Sequence, residues 1–190
     1  QHLADLNYKM LFIDEIIDHV EANDYSDTPP IVIYHQILLS YKEPNDKKHF
    51  NSIKSLIEQH IHIFPETEVK EILDSALNYC IKKMNAGETE FVREAFSLYQ
   101  DWLKRDLLQV RGNIDPFHFK NIVTAGLRLN EFDWVENFIH TYSLKMDESH
   151  RFNALTFNLA QLYFYKKEYE KVIQKLNLVE YDDMTYNLNS

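Results

Sequence analysis

Apolar residues recur along this chain at alternating intervals of three and four, the spacing of one face of a helix. The pattern is cleanest between Arg151 and Val179. Leu155, Leu159, Leu162 and Tyr163 form one stripe, with Ala160 small enough on that face to admit a second helix closely. A polar turn follows at Lys166-Lys167-Glu168, and Tyr169, Val172, Ile173 and Leu176 form a second stripe. Two facing stripes joined by a tight turn predict an antiparallel helical hairpin. A hairpin of this size cannot bury both its faces alone, so it needs neighbours.

The same spacing, less regular, runs through the rest of the chain. Residues 2–23 carry Leu3, Leu6, Met10, Ile13, Ile17 and Val20 and predict a helix without a first partner. Pro29-Pro30 opens the next element. A hairpin is expected over 31–63, with Ile33, Ile37 and Tyr41 on one side, a break at Pro44-Asn45-Asp46, then Phe50, Ile53, Ile57, His60 and Ile61. A second is expected over 66–104: Val69, Leu73, Ala76, Leu77 and Cys80 or Ile81 before a cap at Gly87, then Phe91, Ala95, Phe96, Tyr99 and Leu103. Residues 105–114 read as a connector. Asp115-Pro116 is a helix-start signal, a capping acid before a proline at the first helical position, and opens a third hairpin over 116–144. The fourth is 151–179. The tail 180–190 is expected to lead into a further repeat.

These hairpins repeat one another. At an offset of 35 residues, Ala125 aligns with Ala160, Leu127 with Leu162, Leu129 with Phe164, Trp134 with Tyr169 and Phe138 with Ile173. At an offset of 84, Ala76, Tyr79 and Lys82-Lys83 align with Ala160, Tyr163 and Lys166-Lys167. The run Asn158-Leu159-Ala160, then Tyr163, then Tyr169-Glu170-Lys171-Val172 resembles a tetratricopeptide repeat, with Thr156 standing where that family usually has an aromatic. The resemblance implies an all-α fold: a single array over 1–190, an α-solenoid of antiparallel helix hairpins with irregular repeats and a right-handed superhelix. It also implies that the first helix of each pair lines a concave, partner-binding face. Carried onto this sequence, the lining residues are Phe157, Gln161, Phe164 and Tyr165, with Ile122, Gly126, Leu129 and Asn130 at the aligned positions. Asn158 matches one element of the clamp with which some members hold acidic peptide ends.

Composition narrows the function classes. Three glycines and five prolines suit helices, and 14% aromatic residues exceed what a disordered segment carries. The net charge is −10, and residues 1–28 hold seven acids against Lys9 alone. Nucleic acid is therefore not an expected partner, because phosphates demand a basic patch. The single cysteine, Cys80, precludes an internal disulfide. No apolar run reaches the ~18 residues of a membrane span, and no signal peptide stands at the start. No membrane is expected as a partner, and a cytoplasmic location is the default.

Catalytic chemistry finds little support. His60 and His62 sit two apart, about 200° round a helix, and so are poorly placed to share an ion. Cys80 lies in an apolar stripe and is expected in the core. No glycine-rich phosphate loop, GxSxG or HExxH occurs. Trp102 and Trp134 fall at core spacing, and the cations Arg93, Lys104, Arg105 and Arg111 form a small group in an acidic chain. The expectation is a non-catalytic scaffold for protein–protein interaction that holds a peptide or helix, without metal or small-molecule cofactor. The alternative is a regulatory or sensory segment of a larger protein, docking on another domain.

Overall fold

The computed structural model describes residues 12–110 and 112–179. The chain divides into two compact units, Gln1–Tyr79 and Cys80–Ser190. The first holds α1 (Ile13–Glu21), α2 (Pro29–Lys42), α3 (Lys47–His60), a single 3-10 turn at Ile61–Ile63 and the start of α4 (Glu66–Asn85). The second holds the end of α4, then α5 (Glu90–Lys104), a short strand pair, α6 (Pro116–Arg128), α7 (Phe132–Tyr142), a 3-10 turn at Ser143–Lys145, α8 (Glu148–Tyr165) and α9 (Tyr169–Leu176). The all-helical expectation is met among the described residues, apart from β1 (Gln109–Val110) and β2 (Asn113–Ile114). These pair antiparallel where the sequence suggests only a connector.

In the first unit, α2 packs against α1 and α3. Ile17, Ile33, Ile37, Phe50, Ile53 and Ile57 are all buried, as the spacing predicts. Removing side chains of this size from water contributes about 1.5–3 kcal/mol each. Tyr41 departs from that prediction: it is 45% exposed, and Ser40 takes the inward position, its hydroxyl donating to the Ile37 carbonyl at 2.7 Å. Tyr79 stacks on Phe50 with ring centroids 4.8 Å apart and donates its hydroxyl to the Pro44 carbonyl at 3.1 Å. The α4 residue thus ties down the break between α2 and α3. Of the stripe expected over 2–23, Leu3, Leu6 and Met10 lie outside the described residues, as does the tail 180–190.

In the second unit, α6 packs against α5, α7 and α8, and α8 packs against α6, α7 and α9. Trp102, Phe119, Ile122, Phe138 and Leu162 are all but fully buried. Phe138 lies between Trp134 and Tyr142, with ring centroids at 5.4 and 4.9 Å. Gly126 marks a close approach: a Cβ there would run into Val135 Cγ2 and stand 3.0 Å from Phe96 Cε2.

Helix ends are set by two recurring devices. At the starts, Asp46, Asp115 and Asp147 each accept the backbone N–H two residues on, at 2.9, 2.8 and 3.1 Å. The cap at Asp147 starts α8 three residues before the expected Arg151. At the ends of α4, α5, α6 and α8, one residue takes the left-handed conformation: Gly87 (φ 91), Asp106 (φ 54), Asn130 (φ 60) and Lys167 (φ 62). Each gives the same pair of backbone bonds. The left-handed residue's N–H reaches the carbonyl three back, and the next N–H reaches five back. Those outer bonds are Glu88 to Lys83, Leu107 to Trp102, Glu131 to Gly126 and Glu168 to Tyr163. This is the Schellman arrangement, which satisfies carbonyls that a helix end leaves open. Three of the four are followed directly by glutamate.

Candidate functional site

α8 and α9 fold back on one another through the turn at Lys166–Glu168, and α8 packs against α6 in the same unit. Between them is a cavity of about 340 Å³, lined by Thr124 and Leu127 of α6, Phe157, Ala160, Gln161, Phe164 and Tyr165 of α8, and Val172 and Leu176 of α9. The helical repeat explains the lining. Phe157, Gln161, Phe164 and Tyr165 stand at intervals that keep them on one side of α8, and Val172 and Leu176 are one turn apart on α9.

The walls are almost wholly apolar. Thr124 commits its hydroxyl hydrogen to the Lys120 carbonyl at 2.9 Å. The Gln161 amide oxygen is shielded from solvent and has no hydrogen-bond partner among the described residues. An unmet acceptor in such surroundings forfeits roughly 1–3 kcal/mol relative to its hydrated state. At the rim, Phe164 is 59% and Tyr165 43% exposed. Phe164 meets Tyr169 edge to face at 6.2 Å, so an aromatic surface continues from the cavity onto α9. α9 itself buries none of its residues, and Tyr169 and Ile173 lie open on it.

The expected groove residues separate into two groups. Phe157, Gln161, Phe164 and Tyr165 come together in the cavity. Ile122, Leu129, Asn130 and Asn158 do not join them. Ile122 is fully buried, because α5, α7 and α8 cover α6 on several sides. Leu129 packs beside the Val92, Phe96 and Ala125 cluster with Trp134. Asn130 is the left-handed turn residue between α6 and α7, exposed to solvent. Asn158 is buried completely and donates its side-chain amide to the Ala154 carbonyl at 2.7 Å, which removes it from any clamp on a ligand. Gly126, aligned with Gln161, is the close approach to Val135 and Phe96. Thr124, Leu127, Val172 and Leu176 join the lining beyond the residues that the resemblance implies. Val172 and Leu176 belong to the stripe expected on the last helix and are half-buried, so the signal for them lies in the sequence; Tyr169 and Ile173 of that same stripe are exposed, against the expectation, because no further element covers α9 among the described residues.

Other candidate chemistry is dispersed or satisfied. Cys80 is fully buried. His60 ends α3 and His62 stands exposed in the following 3-10 turn. Arg105 pairs with Asp101 at 3.4 Å and Arg93 lies 3.9 Å from Glu131; Arg111 is outside the described residues. Trp102 is core, and Trp134 stands edge-on to Phe96 at 4.9 Å.

One cluster escaped sequence reasoning. Glu43, Asp46 and His49 bring potential ligand atoms within 4.8 Å of one another across the turn between α2 and α3. His49 is buried, with Nδ1 3.0 Å from Gln36 Oε1 and Nε2 3.0 Å from Glu43 Oε2. The Lys48 ammonium stands 2.9 Å from Asp46 and 3.9 Å from Glu43. The His49 hydrogen bond, then the Lys48 charge, hold the Glu43 carboxyl below its usual range, and Lys48 does the same for Asp46. A divalent ion here would have to displace a cation already in place, so the cluster is an ion-pair network that fixes a turn. Among the described residues no helix is long and apolar enough to cross a membrane. Comparison with protein-family models, with curated proteins and with solved structures finds no match to this chain.

Proposed function

We propose that the chain is a tetratricopeptide-like array, a right-handed stack of helix hairpins, and that it serves as a non-catalytic scaffold holding a segment of another protein. The observation that carries this reading is the apolar cavity between α6, α8 and α9, with exposed aromatic side chains continuing from its mouth. Exposed aromatic clusters beside a preformed concavity are the usual anchors of peptide and helix recognition. In support, the chain turns at Gly87, Asn130 and Lys167 through the same pair of backbone bonds.

The test is a peptide-display selection against the whole chain, repeated against Phe164→Asp and against Phe157→Ala with Phe164→Asp. Phe164 is mostly exposed, so the single variant is expected to keep the helical circular dichroism of the parent. Selected peptides should bind the variants at least about tenfold more weakly, the equivalent of about 1.4 kcal/mol. Selected peptides that bind parent and variants equally would overturn the cavity as the partner site.

A further inference from the structure

We propose that the aromatic surface at the mouth of the α6, α8 and α9 cavity binds the acidic helix α1 of a second copy of this chain. This rests on the scaffold reading and names its partner. Charge and exposed apolar surface together select that occupant.

The chain carries −10 overall, yet the helices around the cavity are basic. α6 holds Lys120 and Arg128 and no acid, each cation one turn from the lining residue Thr124. α8, α9 and the turn between them add five cations against three acids. Lys166 is taken by Glu136 at 2.7 Å and Lys171 by Glu168. Arg128, Lys167 and Lys175 have no ion-pair partner among the described residues. Surplus positive charge therefore surrounds the open side chains of Phe164, Tyr165, Tyr169 and Ile173.

Residues 12–28 are the complement. They hold Asp14, Glu15, Asp18, Glu21, Asp24 and Asp27, all exposed, and neither lysine nor arginine. Asp14 pairs with Lys42 at 2.8 Å, whereas Glu15, Asp18, Asp24 and Asp27 have no ion-pair partner among the described residues. Phe12 and Ile16 stand one turn apart, 69% and 50% exposed, while Ile17 faces the core. Other exposed apolar residues adjoin cations: Tyr41 is next to Lys42, Leu144 to Lys145 and Phe152 to Arg151. In α1, open apolar side chains and negative charge coincide. Docking sets Phe12 and Ile16 against the rings of α8 and α9 and brings carboxylates toward Arg128, Lys167 and Lys175. Opposite potentials steer unlike surfaces together, and like charge opposes pairing of either surface with itself. The two surfaces differ, so the contact is heterologous and extends from copy to copy.

The test is sedimentation velocity of the full chain from low to high micromolar concentration. The mean mass should rise with concentration and pass that of a dimer. Raising salt from about 50 mM to about 500 mM should weaken association about tenfold or more. Ile16→Lys and Phe164→Asp change exposed side chains and should keep the circular dichroism of the parent. Each alone should be monomeric. Mixed, they should form a complex of twice the monomer mass and no larger, because Phe164→Asp retains an intact α1 and Ile16→Lys an intact aromatic surface. A parent mass that stays at the monomer overturns the proposal. So does an Ile16→Lys chain that associates like the parent, a mixture that stays monomeric, or association unchanged by salt. The scaffold reading fails separately. A monomeric parent whose display-selected peptides depend on Phe164 keeps the scaffold and sinks self-assembly. If neither association nor the selected peptides depend on Phe164, both fall.

Discussion

Replacing Gly126 with alanine tests the close packing of α6, because two effects of opposite sign meet there. Gly126 lies inside a helix, where glycine is less favourable than alanine by about 1 kcal/mol. In open space the change would therefore stabilise. The space is not open: the new methyl runs into Val135 Cγ2 and stands 3.0 Å from Phe96 Cε2, and both neighbours are buried. Val135 is fully enclosed, so relief requires a shift of α7 or of the Phe96 ring. Overpacking of this kind costs about 1–3 kcal/mol. Because the collision with Val135 is severe, the upper half of that range applies, and the net effect is a loss of about 1–2 kcal/mol. For a chain of this length that lowers Tm by roughly 3–6 °C. The assay is thermal unfolding followed by circular dichroism, supported by urea titration. A second variant isolates the contact. Val135→Ala alone removes buried carbon and is destabilising, yet it vacates the place that the added methyl needs. The double variant should be more stable than the sum of the two single changes by about 1 kcal/mol or more. A rise in Tm for Gly126→Ala, or strict additivity with Val135→Ala, would refute this packing.

Two further outcomes follow from the helix ends. Lys167 holds a left-handed conformation that costs a side-chain-bearing residue about 1–2 kcal/mol, so Lys167→Gly should stabilise by roughly 0.5–1 kcal/mol after glycine's extra chain entropy. Gly87→Ala, at a position with nothing within 4 Å but φ 91, should instead destabilise; urea midpoints of both variants measure the pair. The Asp147 carboxyl is held below the usual aspartate range, chiefly by the Ser149 hydroxyl and then by the Ser149 backbone N–H. A folded-state value below the unfolded one contributes stability that is complete above pH ~4 and is lost as pH falls through the folded value. The Tm difference between parent and Asp147→Asn should therefore hold steady at neutral pH and shrink as pH falls below about 4, and a difference that stays constant on acidification would contradict the cap.

How far the sequence can be read depends on how many sides of a helix are covered. One stripe at helical spacing reveals one buried face, and this locates Ile33, Ile53, Leu73, Phe96 and Leu162 correctly. It does not reveal a second covered face. Ile122 and Phe157 share an aligned position, yet Ile122 is sealed and Phe157 is half-buried, because α5 and α8 flank α6 while α8 borders a cavity. Asn130 fails for a different reason. The resemblance aligns it with Tyr165 at the end of α8, but α6 has already ended at Arg128 and the left-handed asparagine turns the chain. The strand pair is invisible because two residues on each side give no alternation to detect. The network of Glu43, Asp46, Lys48 and His49 escapes because its residues are spread over three parts of one turn: Glu43 at the end of α2, Asp46 at the cap of α3, and Lys48 and His49 in its first coil.

The left-handed corners at Gly87, Asn130 and Lys167 have a consequence for divergence. Their defining bonds run between main-chain atoms, so glycine, asparagine and lysine all serve at the same geometric post. Mutation can thus rewrite the letters of such a turn while leaving its main-chain bonds alone. Kinship between such units is better judged by superposing their bends than by counting shared residues.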